Sequence, residues 1–359
     1  MSSRGHRHVG ARAGQGGFVL ALVLWLLAAI AIVAGLLTLW ALDQVADAQR
    51  DRAGAEQQLA MLGTRDTVIY LAATRDKTVA GVPVEALDAE RRALRGLEEF
   101  GAFSRDAIGS ELALDGSVYA GIAGTRFAIQ DEAGLVSVAW PSPDFLDRLL
   151  AAWDVGEGEA PRLRDALLDY IDHDDLRHLN GAEARDYERA DRPPPPNRRL
   201  LAPVELDRVL GWNERSGLRH EIASEQATTF YAGPLNLNTA PPELLPLVLP
   251  GCPATCDILL ERRRESALRS SREVQALLGV VLPGDPVADY RYAPSDELRL
   301  TLWGDSGAAW RIHVRLTPMA DGQAPWVFLA AYQVTRPDTD DPPRTIDHAL
   351  FADEAAGRP

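Results

Sequence analysis

From Phe18 to Ala41 the chain carries no charged residue, an apolar run of 24 residues. At about 1.5 Å per residue such a run forms a helix roughly 36 Å long, enough to cross a bilayer. The residues ahead of it, Met1 to Gly17, hold Arg4, Arg7 and Arg12 and no acid. A basic flank stays cytoplasmic, so the run predicts a single inner-membrane span with the bulk of the chain in the periplasm.

Three readings fit the segment. A cleaved secretory signal has a shorter apolar region, although Ala46-Asp47-Ala48 offers a small-residue cleavage site. A signal anchor needs only charge and length. The third reading is a type IV prepilin leader, cut between Gly17 and Phe18. The glycine-phenylalanine junction between basic leader and apolar helix fits it best. Many prepilins carry a glutamate at the fifth mature position, and here that position is Leu22.

Composition narrows the rest. A chain of 359 residues with 46% hydrophobic content can fill one large domain or two. Its formal charge of −15 falls by three more if the leader arginines are removed. Such a surface repels phosphate backbones, so nucleic acid is not expected as a main ligand, while divalent cations are compatible. The two cysteines, Cys252 and Cys256, could pair in an oxidising compartment or stay as free buried thiols. Pairing at this spacing requires Cys252 to lie in a loop ahead of a helix, because an i, i+4 bridge inside a helix is strained.

Along the chain, Asp43 to about Arg75 continues the membrane helix, with Leu59, Leu62, Ile69 and Ala73 approximating one face. Glu85 to Glu99 is predicted helical. Thr125 to Trp140 predicts a hairpin, with strands Arg126 to Gln130 and Leu135 to Ala139 around a turn at Asp131 to Gly134. A helical pattern then runs from Asp144 to about Leu282, broken by Pro193 to Pro196. Strands return at Leu298 to Trp303, Trp310 to Leu316 and Trp326 to Val334. The acidic tail from Pro337 predicts disorder. Strands, a long helical stretch, then more strands describe a helical domain inserted into an α+β domain.

Two segments of the insert carry chemistry. Leu167 to Asp175 reads Leu-Leu-Asp-Tyr-Ile-Asp-His-Asp-Asp, followed by Asn180-Gly181-Ala182-Glu183 and Asp186-Tyr187-Glu188. Its carboxylates could converge on Ca²⁺, which prefers hard oxygen ligands, or form a solvated acidic loop. The spacing is not that of an EF-hand. His173 and His178 lack the cysteines and the i, i+4 spacing that zinc would suggest. The second segment runs Leu235-Asn236-Leu237-Asn238-Thr239-Ala240-Pro241-Pro242, then Leu249-Pro250-Gly251 and Ile258 to Arg264. Asn238 or Thr239 capping a first helix, and a glycine turn into a second, describe a helix-hairpin-helix. Arg262, Arg263 and Arg264 keep a phosphate-binding role open, but the acidic chain favours a packing module. Gly304-Asp305-Ser306-Gly307 resembles a protease nucleophile turn, yet no matching histidine precedes it, so a hairpin turn is expected.

The leader with Gly17-Phe18, the Leu167 to Asp175 stretch with its Asn-Gly-Ala-Glu sequel, Asn197-Arg198, Pro203 to Leu210 and Leu-Asn-Leu-Asn-Thr-Ala-Pro together resemble general secretion pathway protein K. That family comprises the large minor pseudopilins of type II secretion. The resemblance covers the leader and most of residues 125 to 336. It implies a pilin-like α+β fold, a long N-terminal helix plus antiparallel sheet, with an inserted α-helical domain containing a helix-hairpin-helix or SAM-like unit. It implies calcium at the acidic loop, with Asp172, Asp174, Glu183 and Asp186 as the best-matching ligands. The family also typically lacks the fifth-position glutamate, in agreement with Leu22. Val136 to Trp140 departs from the asparagine-rich turn of the family, and no role is transferred to it.

The expected organisation is a leader at 1–17, a transmembrane helix at 18–41 and its periplasmic continuation at 42–75. The first part of the pilin-like domain spans 76–140, the helical insert 141–290, the closing strands 291–336, and a disordered tail 337–359. The expected function is non-enzymatic. Prepilin peptidase would cleave before Phe18, which would be N-methylated, and the product would cap a pseudopilus with I, J and H type minor pseudopilins. The major pseudopilin and the inner-membrane assembly platform are further expected partners. The rival reading is a membrane-anchored helix-hairpin-helix DNA receptor of a competence-type system.

Overall fold

The computed structural model describes residues 16–86, 106–138, 141, 143–153, 155–212, 214, 225–305, 307–318, 324–337 and 342–351. The chain divides into two compact units, Met1–Gln58 and Leu59–Pro359. Helix α1 runs Gly16–Thr74, and the first unit is its N-terminal part, whose apolar window is fully exposed. This helix is long and apolar enough to cross a membrane, in agreement with the span expected from the sequence.

The second unit begins with the last turns of α1. Short strands β1 (Val82–Pro83) and β2 (Glu111–Leu112) pair with each other. Then come β3 (Asp115–Ala120) and β4 (Arg126–Asp131), followed by a 3₁₀ turn at Glu132–Gly134. The insert holds β5 (Val136–Ser137), α2 (Pro143–Ala152), α3 (Ala160–Ile171), α4 (Ala184–Arg189), β6 (Ala227–Thr228), β7 (Leu235–Asn236), α5 (Ala254–Glu265), α6 (Ser271–Leu278) and β8 (Tyr290–Arg291). The chain closes with β9 (Glu297–Trp303), β10 (Ala309–Leu316) and β11 (Trp326–Val334). The main sheet is antiparallel in the order β11-β10-β9-β4-β3. This is the expected α+β architecture, a long N-terminal helix, an antiparallel sheet and additional helices.

Alternation along β9 and β10 gives the sheet two different faces. Leu298, Leu300, Leu302, Ile312 and Val314 point toward Val68 and Leu71 of α1 and form an apolar core with Phe127. Burying side chains of that size stabilises by about 1.5–3 kcal/mol each. The other face carries Arg299, Thr301, Arg311 and His313, all buried. Segment 225–230 of the insert covers it. Arg311 donates to Glu225 Oε1 at 2.5 Å, and Arg299 donates to the Glu225 carbonyl at 3.0 Å. His313 Nδ1 meets Glu132 Oε1 at 2.5 Å, Nε2 meets the Tyr332 hydroxyl at 2.9 Å, and the Phe230 ring lies 4.2 Å away.

Several expectations are corrected. The predicted hairpin does not form, because β4 pairs with β3 and β9, while β5 turns away and pairs in parallel with β6. The buried face of α1 is Ala60, Thr64, Val68, Leu71 and Ala72 with Ile69, whereas Leu59 and Leu62 are exposed. The reason is close approach. Gly121 abuts Thr64, whose hydroxyl accepts from Ile122 N at 3.0 Å, and a bulkier side chain would push that loop away. The tail is ordered in part. Arg344 exchanges backbone hydrogen bonds with Val118 and Ala120 at the β3 edge, and buried Phe351 stacks on Phe127 at 5.8 Å. The expected helix at Glu85 to Glu99 falls largely outside the described residues. β9 and β10 pair as antiparallel neighbours, as expected of strands joined by a hairpin.

The Leu235 to Pro241 motif locks the insert to the sheet. The Asp131 carboxylate, fully buried at the end of β4, accepts from Asn236 Nδ2 at 2.7 Å, Thr239 Oγ1 at 3.1 Å and Ser295 N at 3.0 Å. Gly134 lies so close to Thr239 that a Cβ there would sit 2.5 Å from its carbonyl oxygen. Asn238 does not cap a helix. Its side chain donates to the carbonyls of Leu268 and Tyr292, both at 2.8 Å, and accepts from Leu268 N at 2.8 Å. The first helix of the expected pair is a 3₁₀ segment, Pro242–Leu247, begun by Pro241 and packed under α5.

Candidate metal centre

Helix α3 places Asp165 and Asp169 on one face, a helical turn apart, and both are buried. Asp165 Oδ1 accepts from Arg164 Nε at 2.9 Å, and its Oδ2 accepts from Asn180 N at 3.1 Å and Asn180 Nδ2 at 3.0 Å. Asp169 Oδ1 accepts from His178 N at 3.0 Å and contacts His178 Nδ1. Its second oxygen is enclosed and has no partner. Asp172 is the C-cap of α3, and its Oδ1 is likewise enclosed and unpartnered. Asp169, Asp172 and His178 each offer a ligand atom within 4.8 Å of the others.

Glu183 is the N-cap of α4 and only 7% exposed. It holds the capping-box position over the first turn, yet neither carboxylate oxygen reaches a donor at full hydrogen-bond geometry. Burial, then the charges of Asp169, Asp172 and Asp175, push its carboxyl up to about 7. Burial and the charges of Asp174 and Asp169 also raise Asp172. Unsatisfied buried carboxylate oxygens that repel one another are costly, and a divalent cation would satisfy and neutralise them together. The unpartnered oxygens fit a hard ion: Asp169 Oδ2 and Asp172 Oδ1 would hold it, with His178 the third group within reach and Glu183 close enough to feel both charges.

Of the four residues expected as ligands, Asp172 lies in this cluster, and Glu183 is near enough for the charges of Asp169 and Asp172 to act on it. The other two make hydrogen bonds of their own. Asp174 Oδ1 accepts from Leu176 N at 2.8 Å. Asp186 completes the capping box by accepting from Glu183 N at 3.2 Å, and it pairs with Arg189 at 2.8 Å. Asp169 was not expected. It sits in a string of aliphatic and aromatic residues that reads as helix core, and the signal that could have found it is its i, i+3 relation to Asp172. Gly181 belongs to the site because a Cβ there would collide with the Asp169 carboxylate. Asn197 closes the loop from outside, its Nδ2 donating to Asp174 O and Asp175 Oδ1, both at 2.9 Å, while its own Oδ1 is enclosed without a partner.

The remaining sequence sites lie apart from this cluster. Gly17 and Phe18 fall in the first turn of α1, and the leader residues 1–15 lie outside the described residues. Cys252 and Cys256 form a disulfide with Cα atoms 5.2 Å apart, Cys252 preceding α5 and Cys256 lying in its first turn. Arg262 pairs with Glu273 at 3.1 Å, and Arg263 donates to the Ala240 carbonyl at 2.7 Å. Arg262 thus ties α5 to α6, and Arg263 ties α5 to the start of the hairpin.

Residues 133–219, which contain the whole acidic cluster, match the family model of type II secretion system (T2SS), protein K. That segment is a type II secretion protein K domain. Its limits run from the 3₁₀ turn after β4 to a point beyond α4, so the protein K domain opens where the chain leaves the main sheet. Among solved structures, the crystal structure of the GspK-GspI-GspJ complex from the type 2 secretion system of enterotoxigenic Escherichia coli is similar at 14% identity and a TM-score of 0.48. That similarity covers 80% of this chain and 100% of the other. No curated protein matches the chain at a significant level.

Proposed function

We propose that this protein is a minor pseudopilin of a type II secretion system, placed at the tip of the pseudopilus, where it starts or caps assembly for export of folded proteins across the outer membrane. The observation that carries this reading is the position of the protein K domain. It interrupts a sheet packed on the end of a 59-residue N-terminal helix that contains the 24-residue uncharged run. Two physical arguments support the tip. A membrane-buried carboxylate without a partner is costly, and a subunit with no neighbour ahead of it is better served by Leu22 than by a glutamate. A bulky insert also obstructs stacking of further subunits above it.

In this reading prepilin peptidase cuts between Gly17 and Phe18, Phe18 is N-methylated, and the inner membrane holds the helix until assembly. The I, J and H type minor pseudopilins, the major pseudopilin and the assembly platform are its partners. The role is structural rather than enzymatic. Ca²⁺ occupies the Asp169, Asp172 and Glu183 cluster and braces the loop between α3 and α4. The deciding experiment is the N-terminal mass of the mature protein from cells with and without prepilin peptidase. A methylated Phe18 terminus that requires the peptidase supports the reading. A terminus after Ala48, or an uncut Met1, overturns it.

A further inference from the structure

The loop between α3 and α4 carries two leucines that contribute to no core. Leu176 is 77% exposed and Leu179 is 88% exposed. A single water-facing leucine is ordinary on a protein surface. This pair is different because the backbone beneath it is fixed. Leu176 N donates to Asp174 Oδ1 at 2.8 Å, His178 N to Asp169 Oδ1 at 3.0 Å, and Asn180 N to Asp165 Oδ2 at 3.1 Å. Gly181 N adds a bond to His178 O at 3.1 Å. Alternate amides of the loop are thus held by carboxylates, two of which rise from the rigid, buried face of α3. The loop cannot fold back to hide its leucines without breaking these bonds. Apolar side chains presented on a preorganised backbone avoid the ordering cost of association, which is what an interface anchor requires.

Charge selects the occupant. Asp174 and Asp175 are exposed in the same loop, the one arginine between the leucines, Arg177, already faces Asp186 at 3.7 Å, and the chain as a whole is at −15. An anionic membrane surface would be repelled, and a second copy of this chain would bring the same carboxylates face to face. We propose that Leu176 and Leu179 dock into an apolar pocket rimmed by lysine or arginine on a different protein. The inference stands apart from the secretion reading and from any bound cation, since the bonds that fix the loop are the chain's own.

The test is site-specific photocrosslinking of the full chain in its own cells. A photoreactive residue is placed at position 176, at 179, and at Val287, which is 86% exposed and serves as the control. Both loop positions are expected to give the same discrete adduct with one other protein, through an apolar peptide flanked by Lys or Arg. The control position is expected not to give it. Leu176→Asp in the chain labelled at 179 should reduce that adduct at least tenfold. Adducts with lipid or with a second copy, the same adduct from position 287, or no discrete adduct would each overturn the proposal. Each loop position decides alone if the other variant fails to accumulate.

Discussion

Asp131 and Asn236 meet through a 2.7 Å hydrogen bond across 105 positions of sequence, joining the end of β4 to the first asparagine of the Leu-Asn-Leu-Asn-Thr motif. The same carboxylate takes the Ser295 amide at 3.0 Å and the Ser295 hydroxyl at 2.6 Å, just before β9 begins. One buried side chain therefore fastens the point where the chain leaves the sheet, a strand inside the insert, and the point where it returns. Asp131→Ala would strand several buried donors at once, an expected loss of about 3–5 kcal/mol. Urea unfolding followed by tryptophan fluorescence measures it, and a loss below about 1 kcal/mol would show that the junction holds without this hub.

The acidic cluster makes a prediction with two opposite signs. Glu183 is pushed up to about 7, so at neutral pH the fold strains against its ionised form. Glu183→Gln is expected to raise the melting temperature in EDTA, because repulsion among the carboxylates falls. The same substitution should abolish the stabilisation by CaCl₂. In the parent chain that stabilisation is about 2.7 kcal/mol at a Ca²⁺ concentration near one hundred times Kd. Thermal scans of both proteins, with and without Ca²⁺, test this. An undiminished calcium shift in the variant rejects Glu183 as a ligand.

His313 gives the chain an acid-sensitive junction. Burial, against the pull of Glu132 and with help from Arg299 and Arg311, lowers its pKa below 6.5. In that interval the unfolded chain binds a proton that the fold does not, so stability falls as pH drops through 6.5. Glu132 acts in the same direction at lower pH. Burial alone would raise it, but His313, Arg299 and Thr228 hold it below 4.5, so its contribution is lost as pH falls through that range. His178 has the opposite slope, since Asp169 raises its pKa and the resulting stability is present below 6.5. The comparison is therefore between parent and His313→Gln. The variant should lose less stability between pH 7.5 and pH 5 than the parent does, read as urea midpoints. Equal losses would remove His313 from the account.

The ordered piece of the tail should matter to the sheet. Phe351 is 7% exposed and stacks against Phe127, itself fully buried. Phe351→Ala is expected to cost about 3–5 kcal/mol. Ending the chain at residue 341 should cost at least as much, because Arg344 also covers the β3 edge. Unfolding of both variants checks the assignment, and a truncated chain as stable as the parent would refute it.

The legible parts of this chain were those governed by local periodicity. Strands β9, β10 and β11 were read almost to their ends, because alternation of Leu298, Leu300 and Leu302 with Arg299 and Thr301 reports a strand with two unlike faces, although both turn out to be buried. Strand β4 was read equally well, but its partner was not. Alternation fixes which face a residue occupies and says nothing about which strand lies alongside, and β9 arrives only after the whole insert. The α1 face was misread for a related reason. Ala60 and Thr64 are buried because Gly121 and Ile122 come close, a tertiary fact that favours small side chains over apolar ones. In the acidic loop, carboxylate density located the cluster, but which oxygens remain unsatisfied depends on hydrogen bonds that spacing does not encode. Asp174 and Asp186, expected as ligands, each accept a backbone amide, a demand on their oxygens that spacing alone does not reveal.

The pairing of β4 with β9 carries a consequence for biogenesis. Arg126 lies opposite Trp303, with every residue of the insert threaded between the two strands. A chain emerging from its N-terminus can form α1, β3 and β4 early, but the centre of the sheet stays open until the last strands have been made. Synthesis that stops short yields a chain with an unsealed strand edge, the kind of surface that promotes aggregation. The interleaved topology thus makes completion of the sheet a built-in check that only a fully delivered polypeptide can pass.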